Sequence, residues 1–326
     1  MNNKIAPIRY NVFRENYVKN MVMVTGMTQS GKSLVGPVVC SLEKAENYRT
    51  DFVLEQIPML HNIGMINEDA AIFILRYGLD LMQYDNMLGR NTNFRYSDFS
   101  SIWFTKDPSL FYKRLAMDEG KSVFERIEKE NPLFVLNFHN GVMHAKLLLK
   151  SFPGQKILHV VRNPVDLAYS WLNKGYGKME TYEVPRIRVL TYRYEGHILP
   201  YYAKGFEDEY LELGEMDRVI RLIHMLHSRH KDSFGMLEDR EKAQIKNIYF
   251  DEFAENTNDN LAEICDFINS STTLYTPIVL DREKVPRKID RNETLENQKT
   301  IEGLATLKYF SLLIGLLEDY EKRVLI

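Results

Sequence analysis

The sequence predicts an α/β protein: a central parallel sheet flanked by helices, in three layers. Three observations predict it. An apolar, β-branched run at 20–25 stops at a glycine-bearing loop, and a helical pattern over 32–46 follows. Two further short apolar runs, Leu133-Phe134-Val135-Leu136 and Lys156-Ile157-Leu158-His159-Val160-Val161, each lead into a helical pattern. A further strand is read from Ile245 to Phe250, ahead of a helical stretch over 258–269. Runs this short and mostly apolar suit strands covered on both faces. Strands that alternate with helices build parallel sheets.

Between these units the elements follow from local signals. Asn67 to Tyr84 reads as a helix, with Asn67 as its cap and Glu68-Asp69 in the first turn. Gly89 to Asp98 is polar and turn-rich, hence a loop, and Asp107 to Glu130 returns to helix. The helix at 141–151 ends at Pro153-Gly154, and Pro164 opens one that runs to about Lys174. Residues 175–214 are rich in Tyr, Gly, Pro and charge and read as an insertion with some helix. A helix at 215–231 follows, residues 270–300 look mostly irregular, and a last helix covers about Leu304 to Leu325. Lys308, Glu318, Asp319, Glu321, Lys322 and Arg323 interrupt that last apolar pattern, so it is expected to pack on the core. No repeat or low-complexity linker marks a boundary. Residues 1–326 are therefore expected to form one domain, with insertions near 48–130 and 175–240.

Composition narrows the function classes. A net charge of −3 argues against a general nucleic-acid binder, which would carry a basic excess. No stretch reaches the ~18 apolar residues of a membrane span. The segment Met1 to Arg9 lacks the apolar stretch of a signal peptide. Cys40 and Cys265 are the only cysteines, far apart and each in an apolar helical pattern. Two reduced buried thiols, and a cytoplasmic location, are the expectation.

The chemistry is concentrated at Gly26-Met27-Thr28-Gln29-Ser30-Gly31-Lys32-Ser33. This is G-x-x-x-x-G-K-S between a strand and a helix, the context that makes the pattern a phosphate loop. Its glycines let backbone approach a phosphate, and the helix that follows adds its positive end. Lys32 supplies a cation and Ser33 a hydroxyl, giving the sandwich a P-loop-like character. The loop alone leaves the ligand open.

A second segment, Arg162-Asn163-Pro164-Val165-Asp166-Leu167-Ala168-Tyr169-Ser170-Trp171, sits where a strand ends and a helix begins. Ligands gather at such carboxyl ends, and a guanidinium there can hold a phosphate bidentately. Downstream of a phosphate loop, this segment resembles the 3′-phosphate-binding segment of sulfotransferases. The resemblance implies 3′-phosphoadenosine-5′-phosphosulfate (PAPS) as cofactor and 3′-phosphoadenosine-5′-phosphate (PAP) as product, with no metal required. It implies that Gln29, Ser30, Gly31, Lys32 and Ser33 hold the 5′-phosphosulfate and that Arg162 and Ser170 hold the 3′-phosphate. Arg287 and Lys288, in Val285-Pro286-Arg287-Lys288-Ile289-Asp290-Arg291, match the family's C-terminal basic segment, although its glycine-rich form is absent. His139 falls where several members carry a catalytic base just after a strand. The loop departs from the family: Gln29 stands at the usual cationic position, and Lys32 where threonine is common. Lys32 would then stabilise the leaving charge, with Gln29 as a neutral donor.

The expected reaction is sulfuryl transfer to an acceptor hydroxyl on a small molecule or saccharide. Gly89-Arg90-Asn91-Thr92-Asn93-Phe94-Arg95 and 175–206 are the candidate segments for acceptor recognition, the latter with Tyr176, Tyr182, Arg186, Arg188, Tyr192, Arg193 and Tyr194. Two alternatives stand beside it. One is a P-loop small-molecule kinase using ATP and magnesium, which needs a carboxylate at a neighbouring strand end. The runs at 133–136 and 156–161 lead instead into Asn137-Phe138-His139-Asn140 and Arg162, leaving Asp251 or Glu252 as substitutes. The other is a nucleotide-binding protein without turnover.

Overall fold

The computed structural model describes residues 15–178 and 189–324. Met21–Gly26 (β1) is buried along its whole length and forms the middle of a five-stranded sheet. With Arg49–Thr50 (β2), Phe134–His139 (β3), Lys156–Val161 (β4) and Ile245–Tyr249 (β7), the order is β2-β3-β1-β4-β7. Every pairing in it is parallel. The chain passes from one side of β1 to the other between β3 and β4, which opens a crevice at the carboxyl end of β1.

Side-chain alternation along β1 splits the core into two layers. Val22 and Val24 point to one face, with Val135, Leu158, Val160 and Ile248, under the helix Lys32–Cys40. Met23 points to the other, with Leu136, Phe138 and Ile157, under Glu68–Asn86 and Ala145–Ser151. Each such side chain, taken wholly out of water, contributes about 1.5–3 kcal/mol. A third cluster joins Pro164–Asn173, Glu215–Gly235 and Leu307–Glu321 beside β4.

The α/β sandwich agrees with the sequence reading, as do the buried free thiols of Cys40 and Cys265. Among the described residues no helix is long and apolar enough to cross a membrane. Several boundaries differ. The first helix stops at Cys40 rather than 46, because the chain has turned to the sheet by then: Glu46 N–H donates to Leu133 O at 3.0 Å. The stretch 107–130 is two helices, Pro108–Arg114 and Lys121–Glu130, separated at Gly120 with φ 76°. The third strand continues through His139. Residues 270–300, expected to be irregular, hold Thr276–Arg282 and the first turns of Arg291–Leu304. The latter buries only Asn297 and Ile301, so it shows no apolar stripe.

Two described stretches within 48–130 and 175–240 carry regular structure that the sequence reading did not place. Phe52–Asn62 is a helix capped by Asp51, whose carboxylate accepts from Val53 N and Leu54 N, both at 2.9 Å. Thr191–Tyr194 (β5) and His197–Pro200 (β6) form a hairpin whose two-residue turn, Glu195-Gly196, has positive φ at both positions.

Candidate functional site

The loop after β1 is shaped by two glycines that nothing larger could replace. At Gly26, φ is 151° and a Cβ would lie 2.3 Å from Val160 O. At Gly31, φ is 104° and a Cβ would lie 2.2 Å from the Phe250 ring. Between them Gln29 is exposed, also with positive φ. Ser30 is buried, its hydroxyl without a hydrogen-bond partner among the described residues. Ser33 is exposed in the first turn of the helix. The buried Lys32 side chain turns back under the loop, where Nζ donates to Gly26 O at 2.9 Å and Met27 O at 2.7 Å. Burial drives its ammonium pKa down to about 7, and the charge of Glu55 pulls the other way.

The second segment is fastened to this loop at two points. Arg162 Nη1 donates to Gln29 O at 3.0 Å, and Trp171 Nε1 donates to Thr28 O at 2.8 Å. Asn163 caps the helix between them by accepting from Val165 N at 2.9 Å, with Pro164 in the first turn. Asp166, on that turn, accepts from Thr294 Oγ1 and Asn297 Nδ2, both at 3.0 Å, and so ties in Arg291–Leu304. Ser170 is half-buried on the same helix, and its hydroxyl makes no hydrogen bond among the described residues. Burial lowers the Arg162 pKa, and Asp166 opposes the shift. The exposed Arg287 comes to the same place: its guanidinium lies 5.9 Å from the Phe250 ring centre and that of Arg162 5.5 Å. Lys288 is exposed and makes no hydrogen bond or ion pair among the described residues.

Strand register sets the third component. Gly26 stands opposite His139 across the β1–β3 pair, so this histidine flanks the start of the loop. Its backbone N–H donates to Glu55 Oε1 at 3.0 Å, and its Nδ1 lies 3.0 and 3.1 Å from the two Glu55 oxygens. Glu55 is buried, on the helix Phe52–Asn62, and Phe52 stacks 6.5 Å from the imidazole. A carboxylate at Nδ1 fixes the ring and favours the tautomer with the proton there, making Nε2 the basic nitrogen. Asn137 accepts from Tyr48 OH at 3.0 Å, and Asn140 Nδ2 donates to Tyr202 OH at 3.4 Å. His144 and His159 are buried away from this dyad; desolvation lowers them to about 3 and about 4, so both are neutral.

Sequence reasoning missed Glu55, Tyr202 and Phe250. Glu55 left one signal, a single acid within Phe52-Val53-Leu54-Glu55-Gln56-Ile57-Pro58-Met59. Of the proposed acceptor aromatics, Tyr192 and Tyr194 donate to Glu207 at 3.0 Å and Asp208 at 2.8 Å within the hairpin region. From the same segment it is Tyr202 that meets Asn140. Tyr182, Arg186 and Arg188 lie outside the described residues. In the other segment, Asn91 O accepts from Arg49 at 3.0 Å, which holds the 89–95 loop beside β2.

Comparison with known proteins gives one family: residues 19–311 match the sulfotransferase domain. No curated protein matches the chain. Among solved structures, the sulfotransferase domain of the Synechococcus PCC 7002 olefin synthase is 11% identical, over 86% of this chain and 82% of that one, with a TM-score of 0.42. Sulfotransferase STF1 of Mycobacterium tuberculosis H37Rv is 9% identical, over 88% and 77%, also at 0.42. A sulfotransferase of Alicyclobacillus acidocaldarius is 16% identical, over 94% and 97%, at 0.34.

Proposed function

From the chain's membership of the sulfotransferase domain family, we propose that it transfers a sulfuryl group from PAPS to an acceptor hydroxyl, a saccharide hydroxyl among those it suits. PAPS supplies the activated sulfuryl group, and the chain's residues position and stabilise. The observation that carries this reading is the joining of the two motifs. Arg162 and Trp171 donate into the loop that Lys32 underlies, with His139 one strand away. The residues fit the cofactor: a loop of glycines too tight for a Cβ, an unpartnered buried hydroxyl at Ser30, and cations at both ends.

In this reading Gln29 to Ser33 cradle the 5′-phosphosulfate. Arg162, with Ser170 and Arg287, holds the 3′-phosphate, and Lys288 is the weakest member of the set. Lys32 stabilises charge gathering on the leaving oxygen, the kind of contribution that is often the largest in catalysis. His139 Nε2 takes the acceptor proton, and Glu55 holds the ring and stabilises the imidazolium that forms. The acceptor approaches past Phe52 and Tyr202, from the insertions at 48–130 and 175–240. A cleft of about 240 Å³ lined by Arg49, Asp51, Asp85 and Asn91 offers hydroxyl-binding groups on that side. The buried free thiols suit a reducing, cytoplasmic setting.

The kinase reading is less well supported. The neighbours of β1 end in His139 and lead to Arg162, while Asp251 accepts from Tyr320 OH and Glu252 pairs with Arg323 at 2.7 Å. Two measurements test the proposal. Labelled sulfate should pass from PAPS to a member of an acceptor panel, which also separates an enzyme from a silent binder. PAP should bind more tightly than ATP with magnesium, and Arg162→Ala should weaken it. Tighter ATP binding, indifferent to Arg162→Ala, would reject sulfuryl transfer.

A further inference from the structure

We propose that Phe250 is a positioning residue: its ring, wedged on Gly31, presents Arg162 and Arg287 as one anion-reading pair and makes the site select a nucleotide with a second, ribose-borne phosphate. The inference rests on the donor reading above and adds the element that connects its parts.

Phe250 is the first residue of the helix Phe250–Glu255, directly after β7. Tyr249 pairs with Val161 across the β4–β7 ladder, so the next residues on each strand, Phe250 and Arg162, leave the sheet side by side. The Phe250 ring then fills the space a side chain at position 31 would need, with Cδ2 2.2 Å from where a Cβ would stand. One face of the site thus depends on two residues far apart in sequence, a glycine that must lack a side chain and an aromatic that takes its volume.

Two guanidinium groups use that ring, Arg162 at 5.5 Å and Arg287 at 5.9 Å from its centre. They arrive from different elements, and like charges repel. An aromatic face attracts cations through its quadrupole and offsets part of that repulsion. Each guanidinium also spends Nη1 on a backbone carbonyl, Arg162 on Gln29 O at 3.0 Å and Arg287 on Glu283 O at 3.0 Å. The remaining N–H groups keep their direction, as bidentate phosphate recognition needs. The backbone N–H of Arg287 donates to Ala254 O at 2.7 Å, but without the ring its guanidinium is held, among the described residues, only by the carbonyls of Glu283 and Lys284. Phe250 belongs to neither motif that the sequence announces, yet both cations and the loop lean on it.

The test compares PAP with 5′-AMP, which lacks the ribose phosphate, by calorimetry on the whole protein. Phe250→Leu keeps an apolar side chain, and circular dichroism confirms folding. With no aromatic face to steady either guanidinium, PAP should bind roughly 5- to 30-fold more weakly, while 5′-AMP changes less than about 2-fold. Phe250→Tyr should restore discrimination. Arg287→Ala should cost PAP affinity in the wild type and little more in Phe250→Leu, because the ring and the guanidinium act together. Equal weakening of both nucleotides, or discrimination intact in Phe250→Leu, overturns the role of the ring alone. Wild-type protein that binds PAP no more tightly than 5′-AMP removes the donor reading, and this inference with it.

Discussion

Cofactor binding should take up a proton at Lys32. In the free protein, burial under the loop holds this ammonium near 7, against an ordinary value of 10.5. An anionic phosphosulfate or phosphate placed beside it favours the charged form, so the pKa rises on binding. Between the two values the free protein holds less proton than the complex, and affinity must fall as pH rises. At about pH 8 only about one-tenth of free Lys32 is charged, so binding takes up about 0.9 proton. From about pH 7 to about pH 9 the charged fraction falls about 50-fold, or about 2.3 kcal/mol of affinity. Working above about pH 7 avoids the phosphates' own titration, near 6. Calorimetry of PAP in buffers of different ionisation enthalpy reads the proton count directly. Lys32→Met should abolish the uptake and flatten the profile. Wild-type affinity that is level across this window, with no buffer-dependent heat, would refute the assignment of Lys32 to the anion. The same shift makes ligand-free stability fall as pH drops from about 10.5 to about 7, since there the unfolded chain holds the proton and the folded chain does not.

Four further outcomes are expected. His139→Ala should lower kcat by about 10²–10⁴-fold and leave PAP affinity unchanged by calorimetry, the pattern of a lost general base. Glu55→Gln should lower kcat less than His139→Ala; an unchanged kcat would deny Glu55 its place behind the ring. Gly31→Ala should lose PAP binding, because the Cβ collides with Phe250 at 2.2 Å in a backbone of φ 104°. Arg114→Met should cost about 3–5 kcal/mol in chemical denaturation, because it strands Glu46, which Arg114 grips with two 2.7 Å hydrogen bonds in the interior.

The sequence made the central fold legible because its inner strands are short and mostly apolar, as strands covered on both faces are. The phosphate loop was legible for a related reason: a strand must stop, turn through glycines and restart as helix. Glu55 was not, because its role comes from the β1–β3 register and from a helix hidden among the apolar residues 52–59. Arg291–Leu304 escaped notice because most of it faces water. In the sequence Phe250 ends a strand, where an aromatic is ordinary; only packing against Gly31 gives it significance. What the sequence conceals here is mostly the meeting of residues from separate elements.

A trans peptide unit sends its C=O and its N–H in opposite directions. Four consecutive carbonyls of the loop are claimed by donors of the protein: Gly26 and Met27 by Lys32, Thr28 by Trp171, and Gln29 by Arg162. The amides of Met27, Thr28 and Gln29 must therefore look the other way, and no hydrogen bond among the described residues uses them. The loop's peptide dipoles are thus set by side chains around it, and two of these, Lys32 and Arg162, are the cations assigned above to the anion. The loop's appetite for anions is therefore adjustable through the carbonyl side: Trp171→Phe, which removes the donor to Thr28 O, should free that peptide to rotate and weaken PAP binding by calorimetry.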